Sequence, residues 1–482
     1  MGKARIDEYI EKHRTDIENM ALDIWTHPEG GFQEHRTADM QSEYLKKLGA
    51  RVSFPVKCAP TALVAEYGSG KPVIGFLGEL DALPGQSQKV CSHKEPLEEG
   101  AYGHACGHNL LGCGSLAGFA ALMEVMREEN ICGTIRYYGC PAEESFGGKT
   151  FMAREGLFDD VDCCMNWHPS GDDAVALTQS SAFELMEFYF TGTEAHAAAN
   201  PHLGRSALDA VELMNVGANY MREHMISSAR MHYIITDGGV AVNIVPGKAS
   251  VCYAVRAPQI VQLQEIVKRL IDVARGASLM TGTTMRYEVK SRYHNRLPNY
   301  TLSDLVYENL AECPWPEYTK EELRLFNELS ETYPEDQIQR RCAFHGASRE
   351  ELWNYMLRRP LKRGDKTVTV GGSTDVGDVS WITPTVNLTV TCCPIMVDGH
   401  SWQACAAYGS TAGAKGMTRA GQVMAWSAYD LLTTRQDVIE KAKQELKTDR
   451  GGQVYTPVPA DMKPSFDAPA SPKDESHQDT NE

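Results

Sequence analysis

At 482 residues the chain is long for one ordinary core and predicts two domains. Apolar residues make up 42% and charged residues 23%, a globular composition, and the formal net charge of −17 excludes the basic face that nucleic acid or an anionic membrane requires. Residues 1–16 are dense in charge with no signal-peptide core, and Ile6 stands where a myristoylation motif needs Ser or Thr. The 14 cysteines are scattered, which without a leader predicts reduced thiols in a cytoplasmic protein.

In chain order, residues 6–26 predict a helix, closed by the turn-rich His27-Pro28-Glu29-Gly30-Gly31. An apolar strand over 72–78 runs into Glu79-Leu80-Asp81, and residues 110–126 form a helix apolar nearly all round, hence buried. Its most apolar stretch, 115–126, is too short to span a bilayer. Strands follow at 134–140, stopped by Pro141, and at 161–167, stopped by His168-Pro169. Far downstream a β-branched run over 385–393 ends at Pro394. Strands alternating with helices predict an α/β layer.

The rhythm between these parts differs. Strands at 183–191, 231–236 and 247–256, helices at 204–224 and 258–275, and a half-exposed strand through Met285, Tyr287 and Val289 give the order βαββαβ. That is the order of a split-βαβ, ferredoxin-like α+β unit. The expected organisation is a catalytic domain of residues 1–181 and 294–450, an inserted lid or dimerisation domain of 182–293, and a disordered tail over 451–482. Residues 300–370 form a polar, acidic, partly helical elaboration with no assigned function.

The richest chemistry lies in Gly103-His104-Ala105-Cys106-Gly107-His108-Asn109, where thiolate and imidazole donors share a glycine-rich loop before the buried helix. Alone, such a loop is as easily packing as ligand. Pro141-Ala142-Glu143-Glu144 sets two carboxylates at a strand end, where like charges must be paired or neutralised. A metal resolves this: one carboxylate coordinates it and the other handles a proton. Asn166-Trp167-His168-Pro169 and Asp398-Gly399-His400 repeat the pattern of an apolar strand followed by an imidazole. In open α/β sheets ligands bind beyond the carboxyl ends of strands, and Asp81, Glu143, Glu144, His168 and, more loosely, His400 all follow predicted strands. Nucleotide binding is excluded. Gly112-Cys113-Gly114 lies inside a helix, Gly148-Lys149-Thr150 lacks the first P-loop glycine, and no Gly-x-Ser-x-Gly elbow is present.

These motifs, with Gly31-Phe32-Gln33-Glu34, Glu79-Leu80-Asp81-Ala82-Leu83-Pro84, Gly192-Thr193-Glu194-Ala195-His196-Ala197 and Pro201-His202-Leu203-Gly204-Arg205, resemble the aminoacylase and carboxypeptidase type of dinuclear metallopeptidase, in its amidohydrolase branch. The resemblance covers roughly residues 5–295 and 370–435. It implies a zinc-peptidase-like domain with a central mixed sheet flanked by helices. It also implies two divalent ions, Zn or Mn, on Cys106, His108, Glu144, His168 and His400. Glu143 becomes the general base, Asp81 an orienting carboxylate, and His196 the stabiliser of the oxyanion, across a dimer interface. Asn243 and Arg256 are candidates for gripping a substrate carboxylate.

The implied reaction is hydrolysis of N-acyl or aroyl amino acids such as p-aminobenzoyl-glutamate. An aminoacyl dipeptidase on the same site and a non-catalytic metal-binding partner are the competing readings. The implied assembly is a homodimer, or a heterodimer with a paralogue, through the inserted domain. Two departures stand out: Asn109 replaces the Asp common in this branch, and Ser373-Thr374-Asp375-Val376-Gly377-Asp378-Val379-Ser380 is not the commonest family wording.

Overall fold

The computed structural model describes residues 2–57, 59–175, 178–361, 368–369 and 371–464. The chain opens with helices α1 (Gly2–Thr26) and α2 (His35–Leu48) and strands β1 (Arg51–Ser53), β2 (Leu63–Ser69) and β3 (Val73–Glu79). Next come α3 (His108–Glu129), β4 (Gly133–Cys140), α4 (Gly148–Arg154), β5 (Cys163–Ser170), β6 (Ala174–Val175) and β7 (Thr178–Gln179). The inserted part supplies β8 (Ala182–Thr191), α5 (Ala207–Met221), β9 (Arg230–Asp237), β10 (Lys248–Ala257), α6 (Ile260–Thr281) and β11 (Thr284–Tyr293). It is followed by α7 (Tyr300–Glu312), α8 (Lys320–Glu331), α9 (Glu335–Phe344), β12 (Val368–Thr369) and α10 (Val376–Ile382). The last elements are β13 (Thr385–Thr391), α11 (Trp402–Tyr408), α12 (Thr411–Leu432) and α13 (Gln436–Asp449).

The main sheet is mixed, in the order β1-β2-β4-β3-β5-β13-β6. Its centre, β4-β3-β5-β13, is parallel, while β2 against β4 and β6 against β13 are antiparallel edges. β3 is buried along its whole length, as a strand covered by helices on both faces must be. Helix α3 is buried all round, and its glycines explain how. A Cβ on Gly114 would meet Trp167 at 2.6 Å and one on Gly118 the Gly421 carbonyl oxygen at 2.9 Å, so the helix lies against β5 and α12 with no room for side chains. The Gly-Cys-Gly run is therefore a packing surface. At 22 residues α3 is longer than the sequence pattern suggests and apolar enough to cross a membrane, but it is the core of this fold.

The inserted part folds as four antiparallel strands in the order β11-β8-β10-β9, with α5 and α6 on one face, the layout expected from βαββαβ. Met186, Phe188, Phe190, Val211, Met214, Leu263 and Leu270 form its own core. The alternation along β8 buries every second residue against the helices.

Two expectations change. β5 runs through His168 and Pro169 to Ser170, because Val390 and Thr391 of β13 continue the parallel pairing beyond the proline. Residues 451–464, expected to be disordered, pack on the fold: Val458 and Met462 are buried, and Arg154 donates to the carbonyls of Pro459 (3.1 Å) and Met462 (2.7 Å). The polar composition concealed three apolar anchors, Tyr455, Val458 and Met462. Residues 465–482 of that expected tail lie outside the described residues. The described cysteines are all free.

Candidate metal centre

Around the carboxyl ends of β3, β4, β5 and β13, with His168 still inside β5, the chain brings together Cys106, His108, His168, Glu144 and His400. Donor atoms of Cys106, His108 and His168 lie within 4.8 Å of one another, as do those of Cys106, Glu144 and His400. Cys106 belongs to both groups. Its Sγ is 3.3 Å from His168 Nε2.

The loop reaches this point because Gly107 turns the chain with φ 79° between Cys106 and His108, and a Cβ there would strike Pro169 at 2.6 Å. Ala142 (φ 55°) and His400 (φ 62°) take the same left-handed conformation without being glycine. Such positions persist only where the surroundings hold them. For Ala142 the holder is Glu34, fully buried, whose Oε1 accepts the Ala142 N–H at 2.8 Å and whose Oε2 accepts from Thr61 at 2.6 Å. Burial, with Asp81 nearby, pushes the Glu34 carboxyl up to about 8. For His400 the holders are the Ala105 carbonyl, which accepts its N–H at 2.9 Å, and Arg341, which donates to Ile395 O (3.1 Å) and Asp398 (2.6 Å). Arg341 lies in the 300–370 elaboration, which thereby acquires a structural role.

Hydrogen bonds set the imidazole orientations. His108 Nδ1 donates to Asp81, at 3.0 Å to the carbonyl and 3.1 Å to the carboxylate, leaving Nε2 to face the cluster. His168 Nδ1 donates to the Pro169 carbonyl at 2.8 Å, so its Nε2 also faces inward. Asp81 further accepts the backbone N–H of Glu143 (3.1 Å) and Glu144 (3.0 Å), tying the β3 and β4 loops together. A carboxylate paired with an imidazole in this way fixes the tautomer and the direction of the ring. Two buried atoms, His108 Nε2 and Glu144 Oε1, have no hydrogen bond. They are close to charged neighbours all the same: His108 Nε2 is 3.1 Å from Glu79 and Glu144 Oε1 is 3.2 Å from His400, contacts with the distance of an ion pair but not the direction of a hydrogen bond. Orphaned donors aimed at one point, from S, N and O ligand types, fit a divalent cation.

Neighbours drive the adjacent glutamates apart. Burial, reinforced by Glu79 and Glu144, pushes the Glu143 carboxyl well above the usual carboxylate range. Burial also opposes charge on Glu144, yet His400 and His108 outweigh it and hold that carboxyl at about 2. Burial lowers His168, which favours the neutral imidazole a metal needs. The Glu143 carboxylate lies with that of Glu79 and the His108 ring in a third group of donor atoms within 4.8 Å of one another.

Sequence reasoning missed a buried charge network beside Glu143. Lys149 Nζ donates to Glu79 Oε1 at 2.6 Å and Asp375 Oδ1 at 2.7 Å, all three side chains fully buried or nearly so. Lys149 had been visible only as a false P-loop, while Glu79 closes β3 and met the same strand-end rule that singled out Asp81. His104, by contrast, is buried with both ring nitrogens unpartnered and joins no donor group; burial lowers it to about 3. Asn109 ties helices, donating to Ala21 O (3.2 Å) and Tyr408 O (3.1 Å).

The inserted residues lie elsewhere. His196 is exposed, its Nδ1 accepts from Ala198 N (3.3 Å) and Ala199 N (3.1 Å), and a backbone bridge to Ile244 sets it beside the exposed Asn243. Among the described residues neither touches the cluster. Arg256 is half-buried, 4.5 Å over the Phe183 ring, and donates to Ser373 Oγ at 2.6 Å.

A mixed parallel sheet with thiol, imidazole and carboxylate donors beyond its strand ends defines a hydrolase of the metallopeptidase class. The chain belongs to Peptidase family M20/M25/M40, whose model matches residues 75–343. It is similar to a p-aminobenzoyl-glutamate hydrolase component of Escherichia coli (strain K12), 37% identical over 472 residues that cover 95% of this chain and 98% of that one. It is also similar to the Xaa-Arg dipeptidase of Mus musculus, 32% identical over 321 residues, 64% of this chain and 70% of that one. Among solved structures, the Bacillus subtilis YXEP protein, described as a dinuclear metal-binding peptidase, aligns with a TM-score of 0.57 at 19% identity, over 88% of this chain and 99% of that one, and shares the fold. The chain is a hydrolase of amide or peptide bonds.

Proposed function

We propose that this hydrolase cleaves the amide bond between an acyl or aroyl group and an amino acid, with p-aminobenzoyl-glutamate the first substrate to test. The observation that carries the reading is the pair of donor groups sharing Cys106, beside a Glu143 carboxylate that belongs to neither of them. Two divalent ions, Zn or Mn, held by Cys106, His108, Glu144, His168 and His400, would acidify water and polarise a carbonyl. Thiolate and imidazole favour zinc; the carboxylate tolerates manganese.

The chain's own groups do the rest. Glu143 takes a proton from the attacking water and returns it to the leaving amine. Asp81 keeps His108 in one tautomer. His196, its Nδ1 already occupied, presents an Nε2–H donor to the carbonyl oxygen as negative charge develops there. Since it stands apart from the cluster of its own chain, it reaches that oxygen across a dimer interface. Exposed Ile234 on the edge strand β9, with Val240 and Val242 beyond it, supports pairing through the inserted unit, with an identical chain or a paralogue. Asn243 and Arg256 would grip the substrate carboxylate.

The similarity to a dipeptidase makes aminoacyl-lysine and aminoacyl-arginine dipeptides the competing substrates. A competition assay against p-aminobenzoyl-glutamate, with metal analysis on protein purified without chelator, separates the two. Glu143→Ala should keep its metal and lose turnover by about 10²–10⁴-fold. Retained turnover sinks the assignment of the base, and wild-type protein inactive with every added divalent metal sinks the enzymatic reading.

A further inference from the structure

A second set of metal-competent donors lies on the loop between Leu83 and Gly103, outside the cluster described above. The ends of this loop are closed by paired backbone bonds, Leu83 N to Gly103 O (3.1 Å) and Gly103 N to Leu83 O (2.9 Å), with Ser87 N to Ala101 O (3.1 Å) one step further out. Gly103 begins the segment that carries Cys106. Within the loop the chain bends through residues 90–93, and the sulfur, imidazole and carboxylate donor atoms of Cys91, His93 and Glu95 lie within 4.8 Å of one another.

The arrangement is built from inside. Gln88, only 1% exposed, fills the loop with its side chain: Nε2 donates to Lys89 O (3.0 Å) and His93 O (2.8 Å), and Oε1 accepts from Glu95 N (3.0 Å). The same Nε2 approaches Cys91 Sγ at 3.5 Å. The Cys91 thiol in turn donates to the His93 carbonyl at 3.2 Å, so the sulfur is held against the same turn that carries the imidazole. Lys89 N donates to Glu95 O at 2.8 Å and Cys91 N to Lys89 O at 2.9 Å, which fixes the spacing of the three donors. His93 Nε2 stands 2.9 Å from Glu95 Oε2, while Glu95 Oε1 is bound by Lys89.

A solvated histidine–glutamate pair accounts for two of these residues. It does not account for the Cys91 sulfur, held within 4.8 Å of both.

We propose that Cys91, His93 and Glu95 form a further divalent-metal site, selective for zinc by its sulfur and nitrogen donors, that clips the loop leading into the catalytic segment. Cys91 binds as the thiolate and releases its proton to solvent, His93 binds neutral, and Glu95 uses Oε2 while Lys89 keeps Oε1. With the His93 side chain 68% and the Glu95 side chain 42% exposed, a fourth position stays open to water and the ion exchanges.

Protein purified without chelator and dialysed against micromolar Zn²⁺ should hold one equivalent more than the Cys91→Ser and His93→Ala variants, with turnover at the catalytic cluster the same in all three. Alkylation of Cys91 by iodoacetamide, read on its own peptide by mass spectrometry, should slow at least about tenfold when Zn²⁺ is added to the wild type, and should not slow in His93→Ala. Equal zinc content in the wild type and both variants overturns the site. So does alkylation of Cys91 in the wild type at one rate with and without Zn²⁺.

Discussion

Around Cys106 the side chains are mostly buried and braced by neighbours, whereas His196 and Asn243 are exposed. The first region concentrates Glu34, Glu79, Asp81, Glu143, Glu144 and Asp375 out of water, and several have a named partner: Thr61 for Glu34, Lys149 for Glu79 and Asp375, His108 for Asp81. The second keeps His196 and Asn243 on backbone contacts alone. A group that must orient a cation profits from burial and cross-bracing, because low dielectric magnifies each interaction. A group that must meet a substrate or another protomer has to remain at the surface. The two regions therefore predict different failures when altered.

The largest effect falls on the buried network. Lys149→Met leaves Glu79 and Asp375 without their cation and should cost about 3–5 kcal/mol in urea unfolding, as removal of one member of a buried ion pair does. Stability within about 0.5 kcal/mol of wild type would mean that the triad is not the brace it looks to be. On the other side, His196→Ala should lose about 10²–10³-fold in kcat, the scale of one oxyanion donor, with an unchanged unfolding midpoint, since its ring is exposed. A variant that unfolds earlier but turns over normally would reverse the contrast between the regions.

The junction between them offers a third measurement. Tyr455 from the C-terminal segment donates to Asp378 at 2.9 Å, and the same carboxylate accepts from the His294 ring (2.9 Å) and backbone (3.0 Å), where the chain leaves β11. Tyr455→Phe should cost about 1.5–3 kcal/mol, the range for a hydrogen bond to a charged group. No loss would show that the segment rests on Val458 and Met462 alone. The smallest effect belongs to Arg341, which is partly exposed. Arg341→Ala should lower kcat/KM about tenfold through the His400 loop, with Arg341→Lys recovering part of it, whereas an unchanged kcat/KM would leave that loop held by Ala105 alone.

Much of this architecture was legible in advance because it depends on local pattern. The period-two alternation of 183–191, the apolar run of 72–78 and the βαββαβ order each place an element without knowledge of its neighbours. The cluster was legible for a related reason: side chains at strand ends converge in a parallel sheet whatever the details of packing. Lys149 was not, since nothing local marks a lysine whose partners stand 70 and 226 positions away. The C-terminal anchors were hidden by a polar composition that states average solvation and not which three residues dock.

The chain by itself determined the donor types, their positions after strands, and the presence of a βαββαβ insertion, because these follow from residue chemistry and periodicity. Tertiary structure alone decided which donors meet. It placed Cys106 in two donor groups, left His104 out of them, set Glu79 and Lys149 beside Glu143, and left His196 exposed. Those outcomes depend on distances between segments far apart in sequence, fixed only when the sheet closes its register and the helices pack against it.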